Sequence, residues 1–567
     1  MRLLKRSIRA IIPLVIGGLA ACDPKPTPRG AGSGTTATHA MVVTAHPLAT
    51  KVGLAVLRDG GNAVDAAIAV HYALAVVLPW AGNIGGGGFM VMRSADGRVR
   101  SLDFREIAPA AATRDMYLDR AGQVVPGLSL LGHKAVGVPG TVAGLQAAHD
   151  SLGNLPMRRL IQPAIDLATN GFALTQREAD ELNEALPGLR THCTRSSAFT
   201  AHALWNAGDT LRLPELAATL IRLRDGGSAE FYTGTTADLI IAEMQRGHGL
   251  LSKADLATYR PVWRAPVHGR YRDLDVYSMG PPSSGGILLL QLLAAMEPVD
   301  VRSAGRASAP IVHRMVEAER RAYADRAEHL GDPDHVPVPV NGLLDHRYIL
   351  ERMKDFDPAH ATRSSAVTSG TPAEHEETTH FSIVDAHGDA VACTTTLNGS
   401  YGSHVVVGGA GFVLNNEMDD FSTAPGIPNA YGLVGGEANA IAPGRRMLSS
   451  MAPTIVVRGG ELFMVLGTPG GSTIPTSVFQ VFLDVVDHGM GIQEAVSAPR
   501  FHHQWLPDLL FMEAGAFSAG DSAELARMGH RLRSRAPIGR VDAIRVLPDG
   551  RLEGGADPRG DDSADGY

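Results

Sequence analysis

The stretch "TTHFSIVDAHGDAVACTTT", residues 378–396, decides the fold because it predicts two paired strands with a single register. Gly388 supplies the positive-φ position that ends a short hairpin loop. Counting outward from that loop places Thr378 at the first position of one strand, opposite Thr396 on the other. The sequence therefore predicts a β-hairpin in which two threonine hydroxyls face each other.

Alternate residues of a strand point to opposite faces, so this register sorts the hairpin into two sides. The mostly apolar side consists of Thr379, Phe381, Ile383, Val391, Cys393 and Thr395, and the polar side of Thr378, His380, Ser382, Thr394 and Thr396. We therefore interpret Cys393 as a core residue rather than a reactive thiol.

A threonine hydroxyl needs a base before it can act as a nucleophile, and no serine-hydrolase motif such as GxSxG is evident here. Cleavage of the Glu377–Thr378 bond would give Thr378 a free α-amine. Such an amine has an ordinary pKa of about 8 and suits the role of base for its own hydroxyl. Thr396 would hold the amine or hydroxyl in place. Threonine is also common in strands, so this pattern alone is compatible with an ordinary hairpin.

The N-terminus predicts export. Arg2 to Arg9 form a positively charged segment, and "AIIPLVIGGLAA" is a short apolar run that ends at Cys22. This is typical of a signal peptide, residues 1–21, and "LAAC" resembles the lipobox of bacterial lipoproteins, in which Cys22 is lipidated. An ordinary signal peptide is the alternative. Residues 22–38 are rich in Pro, Gly, Ser and Thr, which favours a flexible tether.

The composition of the 567-residue chain narrows the function classes. A 44% hydrophobic content is ample for a large core, and a net charge of −8 without a basic run argues against nucleic-acid binding. Apart from Cys22, only Cys193 and Cys393 remain, so one disulfide is possible and a disulfide framework is not. The histidines form no HExxH motif, and we predict no metal site and no cofactor.

The order of patterns along the chain indicates a mixed protein without a fixed-period repeat. Residues 141–260 read as mostly helical, and a buried helix is predicted near 284–296. The glycine run in "GNIGGGGFMV" follows a helix and enters a strand, which argues for close backbone packing rather than a phosphate loop. Residues 353–377 read as a polar loop that runs up to Thr378.

Longer motifs carry a family resemblance that covers the chain from about residue 40 to Tyr567. In chain order they are "GNIGGGGFMV", "LDFREIAPAAATRDM", "GVPGTVAGL", "ETTHFSIVD", "TLNGSYG", "GFVLNNEMDDF", "PGIPNAYGLVGG", "LSSMAPTIV", "GTPGGS", "APRFHHQWLPD" and "DPRGDDSADGY". This set resembles the γ-glutamyltranspeptidase family. The resemblance implies an α+β fold, the αββα sandwich of N-terminal-nucleophile hydrolases. It also implies self-cleavage at Glu377–Thr378 into a large subunit (39–377) and a small subunit (378–567).

The resemblance also implies the site. Thr378 aligns with the family's nucleophile and Thr396 with its supporting threonine. Gly470 and Gly471 in "GTPGGS" match the oxyanion hole, where backbone N–H groups stabilise the tetrahedral intermediate. Without the resemblance, these glycines would be an ordinary turn.

A γ-glutamyl group carries an α-carboxylate and an α-ammonium, so its pocket needs both charges. Arg105 in "DFRE" matches the family's carboxylate-binding arginine, whose guanidinium forms paired charge-assisted hydrogen bonds. As isolated residues, charged groups such as Arg105 would more often lie at the surface. The further matches are Ser449 and Ser450 for the carboxylate, and Asn398, Glu417 and Asp420 for the ammonium.

Residues 421–436 resemble the flap that some members carry over the pocket, with Tyr431 bridging to "LSSM". An ordinary surface loop is the alternative. The expected function is an extracytoplasmic, membrane-anchored γ-glutamyltransferase and glutathione hydrolase. It would use glutathione and other γ-glutamyl compounds as donors, and water, amino acids or peptides as acceptors. The rival hypotheses are an acylase of the same fold acting on glutaryl groups and an inactive binding lipoprotein.

Overall fold

A computed structural model describes residues 34–367, 378–422, 435–535 and 537–567 of the chain. The predicted export signal and Cys22 lie outside these residues, as do Glu377 and Tyr431. Within the described ranges, no helix combines the length and apolar character that crossing a membrane requires.

Strands and helices follow one another along the whole described chain. The strands are β1 (Thr35–Ala37), β2 (Met41–Thr44), β3 (Gly87–Arg93), β4 (Val99–Asp103), β5 (Phe172–Ala173), β6 (Thr210–Leu211), β7 (Val262–Arg264), β8 (Val267–Tyr271), β9 (Leu274–Ser278), β10 (Thr379–Val384), β11 (Ala390–Thr396), β12 (Thr454–Arg458), β13 (Glu461–Gly467), β14 (Phe501–His502), β15 (Leu510–Met512), β16 (Leu532–Ser534), β17 (Asp542–Val546), β18 (Leu552–Gly555) and β19 (Ser563–Gly566). The α-helices are α1 (Pro47–Arg58), α2 (Ala63–Val77), α3 (Thr141–Leu152), α4 (Met157–Asn170), α5 (Gln176–His192), α6 (Pro214–Gly226), α7 (Ser228–Thr233), α8 (Thr235–Gly247), α9 (Lys253–Thr258), α10 (Gly285–Met296), α11 (Val301–Ala304), α12 (Ala309–His329), α13 (Val340–Leu343), α14 (His346–Arg352), α15 (Ile474–Val486), α16 (Ile492–Ser497) and α17 (Ala519–Met528).

Two seven-stranded antiparallel sheets pack face to face. Sheet I has the strand order β19-β2-β10-β11-β3-β4-β7, and sheet II has the order β1-β18-β17-β13-β12-β9-β8. Helices α1, α2 and α3 cover the outer face of sheet I, and α10, α15 and α16 cover sheet II. The α+β class and the αββα arrangement are therefore confirmed, as are the mostly helical region 141–260 and the buried helix that begins near residue 284.

The central hairpin has the predicted register. Thr379 pairs with Thr395 and Val384 with Ala390, and Gly388 closes the loop with a φ of +86°. Both faces of the hairpin are buried, because the outer face packs on the core of α2 and the inner face packs on sheet II. Every side chain of β10 and β11 is consequently buried, and a slip of one residue would turn His380, Ser382 and Thr394 toward the apolar face that packs on α2.

The polar inner face of the hairpin is satisfied by hydrogen bonds rather than by solvent. The His380 ring lies 2.8 Å from Thr394 Oγ1 and 3.1 Å from Ser382 Oγ, and the Ser382 hydroxyl donates to the Asp542 carbonyl of sheet II. Burial lowers the pKa of His380 to about 3, so the ring is neutral. Across the sandwich, Gly467 of β13 leaves the room that this ring occupies.

Both sheets contain strands from the two sides of the predicted cleavage point. In sheet I, β2 lies between β19 and β10, and β11 is followed by β3. In sheet II, β1 pairs with β18, while β12 pairs with β9. The N–H groups of Thr38, His39 and Ala40 also donate to the carbonyl of Tyr567, the last residue. Each sheet is thus built from both halves of the chain.

Two details differ from or add to the sequence analysis. The prediction of a flexible tether over 22–38 was wrong for its last residues, because Thr35–Ala37 form β1 on an edge of sheet II. Its composition is that of a linker, and its pairing partner lies more than 500 residues away. Cys193 and Cys393 are free thiols, and Cys393 is buried in the core of the hairpin as predicted.

The close approach of the sheets at Gly467 predicts that Gly467→Ala destabilises the protein. The added Cβ would overlap the His380 ring, which its own hydrogen bonds hold in place. We expect the free energy of unfolding to fall by about 1–3 kcal/mol, as for overpacked cores. Chemical denaturation measures this, with Gly520→Ala in the first turn of α17 as the control, since that site has room for a methyl group. Equal stability of the two variants would contradict the packing argument.

Candidate active site

Thr378 and Thr396 meet at one end of the central hairpin. The Thr378 hydroxyl lies 3.5 Å from Thr396 Oγ1, and both side chains are buried. The backbone N–H of Asn398 donates to Thr396 Oγ1 at 2.7 Å, which fixes that hydroxyl. The structure therefore brings together the hydroxyl pair that the register predicted.

Sequence reasoning missed Asn83, whose amide holds the strand end below Thr396. Its Nδ2 donates to the Thr396 carbonyl at 2.9 Å and to Thr395 Oγ1 at 3.0 Å, while its Oδ1 accepts from Gly86 N and from Thr141 Oγ1. A Cβ at Gly86 would collide with the Thr396 carbonyl, so the glycine run serves close packing as predicted. A lone asparagine inside that run carried no recognisable signal.

Gly470 and Gly471 follow β13, which packs across the sandwich on β10 and β11. Their φ values of +135° and +46° lie in a region that glycine adopts without strain. The 3₁₀ turn Gly471–Thr473 leads directly into α15. The pair thus lies where two backbone N–H groups precede a helix, an arrangement that suits a developing negative charge.

Arg105 is the centre of a buried ionic cluster and is only 1% exposed. Its guanidinium lies 2.6 Å from the Glu417 carboxylate, hydrogen-bonds Asp420, and lies 3.6 Å from Glu106. The carbonyls of Met447 and Leu448 accept further hydrogen bonds from it at 3.3 Å. The cluster brings three of the predicted residues together and adds Glu106, which the sequence analysis did not single out.

The three carboxyl groups around Arg105, of which Glu106 and Glu417 are buried and Asp420 is partly exposed, have shifted pKa values. Burial raises the pKa of Glu106 to about 8 and that of Asp420 to about 6, and it raises the pKa of Glu417 well above its usual range. Burial alone would lower the pKa of Arg105, but the neighbouring Glu417 and Asp420 charges outweigh it and raise the pKa. Arg105 thus stays charged, while Glu106 holds a proton at neutral pH.

Asn398 connects the hydroxyl pair to this ionic cluster. Its backbone has a φ of +76°, and its side-chain Nδ2 donates to the carbonyl of Asn416, the residue before Glu417. On the other side, a Cβ at Gly87, the strand partner of Thr396, would contact the Glu106 carboxylate. The hydroxyls and the charges therefore belong to one contiguous site.

Ser449 and Ser450 border the cluster immediately after Leu448. The Ser449 backbone N–H donates to the Pro282 carbonyl at 2.9 Å, which fixes the segment. The buried Ser450 Oγ has no hydrogen-bond partner among the described residues. Asn439, also missed from sequence, joins the Asp420 carbonyl (2.7 Å) to the Leu448 N–H (3.0 Å). A buried hydroxyl without a partner is a group that a polar ligand would satisfy.

The described residues contain no group of three or more His, Cys, Asp or Glu side chains able to hold a metal ion. The predicted flap falls largely outside the described ranges, which resume at Gly435. Its two ends lie together, since the Ser422 N–H donates to the Asn439 carbonyl and a Cβ at Gly435 would meet the Ser422 hydroxyl.

Comparisons with known proteins place this site in context. The family model of gamma-glutamyltranspeptidase matches residues 49–567. The chain is 47% identical to the glutathione hydrolase proenzyme of Escherichia coli over 94% of this chain and 92% of that protein. It is 48% identical to the glutathione hydrolase proenzyme of Pseudomonas aeruginosa, over 90% and 91%. The solved cephalosporin acylase of Bacillus halodurans is similar with a TM-score of 0.84 and 27% identity, covering 96% of this chain and 98% of that one.

The acidity of Glu106 predicts a pH-dependent stability. An unfolded glutamate has a pKa of about 4.3, so folding takes up a proton at pH values between that and about 8. The stabilisation is fully present below the unfolded pKa and is lost as pH rises through the folded one. Glu106→Gln cannot ionise, so from pH 6 to 9 its melting temperature should fall less than that of the wild type. Glu184→Gln, at an exposed position of α5, is the control and should follow the wild type. A parallel fall in all three proteins would contradict the assignment.

Proposed function

Because the chain belongs to the gamma-glutamyltranspeptidase family, we propose that it is a γ-glutamyltransferase and glutathione hydrolase with Thr378 as its nucleophile. The observation that carries the proposal is the buried charge set around Arg105, which lies in one site with the Thr378–Thr396 hydroxyl pair. A γ-glutamyl donor needs both a cation and carboxylates beside the nucleophile, and this site has both.

The reaction begins when cleavage of the Glu377–Thr378 bond frees the α-amine of Thr378. That amine takes the proton of the Thr378 hydroxyl, whose oxygen attacks the γ-carbonyl carbon of the donor. N–H groups at Gly470 and Gly471 stabilise the oxyanion, and the intermediate collapses as the leaving amine takes up the proton. Attack by water or by an acceptor amine on the γ-glutamyl ester then restores the Thr378 hydroxyl.

The donor's two α-substituents match the charges of the pocket. Its α-carboxylate would bind Arg105 together with the hydroxyls of Ser449 and Ser450. Its α-ammonium would bind Glu417 and Asp420, with the remaining contact from Asn398. Arg105 already pairs with both carboxylates, so a zwitterion exchanges one set of opposite charges for another without leaving a buried ion unpaired.

An acylase acting on glutaryl groups is the second candidate, favoured by the similarity to the cephalosporin acylase structure. A glutaryl group lacks the α-ammonium, so it would not supply the cation that we propose Glu417 and Asp420 bind. Parallel assays with γ-glutamyl and glutaryl anilides test both functions. Turnover of the γ-glutamyl anilide supports the proposal, preference for the glutaryl anilide supports the acylase, and no turnover of either supports an inactive binding protein.

The proposed nucleophile predicts that the protein matures by self-cleavage. The purified protein should run as two fragments, residues up to Glu377 and residues 378–567, because the Thr378 hydroxyl attacks the preceding peptide bond. Thr378→Ala should remain a single chain, and Thr378→Ser, which keeps a hydroxyl, should still be cleaved. Gel electrophoresis and N-terminal sequencing measure this. Cleavage of the alanine variant at the same bond would rule out self-processing by this hydroxyl.

The proposed role of Arg105 in binding the donor's α-carboxylate also predicts a kinetic effect. Arg105→Ala should lower kcat/KM for γ-glutamyl donors by an amount equivalent to about 2–4 kcal/mol, as when one partner of a buried ion pair is removed. Cleavage into two fragments should survive, because Arg105 does not form the nucleophile. Arg98→Ala is the control, since Arg98 pairs with Asp96 at the surface, where ion pairs contribute little. Unchanged kinetics of the Arg105 variant would remove this residue from the site.

The sequence around Cys22 predicts where the mature protein is located. We propose that the mature chain begins at a lipidated Cys22 and is held at a membrane outside the cytoplasm, on the evidence of the sequence "LAAC". Several acyl chains are needed for stable anchoring. The protein should therefore fractionate with membranes and be released by detergent, and Cys22→Ser should lose the lipid. Mass spectrometry of the native N-terminus decides the question, and an unmodified start at any other residue would refute the anchor.

A further inference from the structure

Arg326 is a buried cation that the reaction described above does not use. It lies near the end of α12 and is only 4% exposed. Two other buried arginines of the helix contact carboxylates directly: Arg320 contacts Glu317 and Asp508, and Arg321 contacts Glu317 and Asp355. Arg326 has no ion pair within 4.0 Å among the described residues.

Within the described part of the chain, the Arg326 side chain makes one hydrogen bond, and it leads toward Ser449 and Ser450. Its Nε donates to Ser284 Oγ at 3.1 Å. The Ser284 hydroxyl in turn donates to the Ser449 carbonyl at 2.7 Å, and the Ser284 backbone N–H donates to the same carbonyl at 2.8 Å. Because a hydroxyl has one hydrogen to donate, accepting from Arg326 directs that hydrogen to Ser449. Arg326 thereby fixes the backbone that presents the Ser449–Ser450 hydroxyls.

The positive charge of Arg326 also interacts with Asp420 of the ionic cluster. Burial lowers its pKa to about 10, so it remains a cation at neutral pH, and Asp420 is the carboxylate that acts on it most. The effect is mutual, since Arg326 lowers the pKa of Asp420. Further charged or titratable groups that interact with Asp420 are Arg105, Asp419, Glu106 and Glu417. A buried guanidinium without its own carboxylate favours an anionic ligand nearby.

We propose that Arg326 is a specificity-determining residue of the donor pocket, acting from behind Ser449 and Ser450 to favour donors that carry an α-carboxylate. This inference rests on the proposed function. Arg326 positions the serines through Ser284 and adds a second positive charge to that of Arg105. It touches neither the nucleophile nor the scissile bond, so its effect is on recognition and not on the acyl-transfer step.

Two donors that differ in one group test the proposal: a γ-glutamyl anilide and the 4-aminobutanoyl anilide, which lacks only the α-carboxylate. For Arg326→Gln we expect kcat/KM for the γ-glutamyl anilide to fall at least tenfold, mainly through KM. For the 4-aminobutanoyl anilide it should change less than about threefold. Arg326→Lys, which keeps the charge, should recover part of the loss. The matched control is Arg314→Gln on the same helix, whose side chain donates to the Ala295 carbonyl and lies over the Phe356 ring.

Ser284→Ala separates the positioning effect of Arg326 from the effect of its charge. It removes the hydroxyl that links Arg326 to the Ser449 carbonyl and leaves the Arg326 charge in place. It should lower kcat/KM for the γ-glutamyl donor by less than Arg326→Gln does. The pH profile is a second readout: without Arg326, Asp420 ionises at higher pH, so the acidic limb of kcat/KM should move upward in Arg326→Gln and stay in place in Ser284→Ala.

Cleavage of each variant into two fragments verifies folding before the kinetics are compared. Equal losses for both donors, or an unmoved acidic limb, would show that Arg326 is only structural and overturn the proposal. Failure of the wild type to turn over the γ-glutamyl anilide would instead overturn the proposed function itself.

Discussion

The register of the β10–β11 hairpin is the constraint on which the rest of the structure depends. Both faces of these strands are buried, one against α2 and the other against sheet II, so the pairing cannot slip without burying the wrong groups. This pairing places the Thr378 and Thr396 hydroxyls 3.5 Å apart. It also aligns Gly87 with Thr396, which brings Glu106 and the ionic cluster to the same end of the sheet.

The ionic cluster around Arg105 keeps charged groups of both signs in place before a charged ligand binds. Arg105 and Glu417 are buried and Asp420 is largely buried, in surroundings where an isolated charge would be strongly disfavoured. Arg105 interacts favourably with both carboxyl groups, and the raised pKa values of Glu106 and Glu417 limit the total negative charge at neutral pH. The polar groups that surround the cluster, including Ser450 Oγ, allow a zwitterion to replace internal contacts with contacts of the same kind.

The hairpin and much of the site could be predicted from the sequence because their signals are local. Gly388, the alternation of residues 378–396 and the motif around Arg105 each occupy a short window. Asn83, Arg326 and Asn439 could not be predicted in the same way, since their partners are distant in the chain and appear only when the layers pack. The strand at Thr35–Ala37 was missed for a related reason: its pairing with β18 depends on residues at the opposite end of the sequence.

The presence in each sheet of strands from both halves of the chain has a consequence for the cleaved protein. If the bond before Thr378 is cut, the two polypeptides remain interleaved in both sheets, with β2 between β19 and β10. Pulling them apart would break several ladders of backbone hydrogen bonds at once and expose new sheet edges to water. Dissociation and unfolding are then the same event, so the pair has no equilibrium of free subunits, and dilution alone will not separate it.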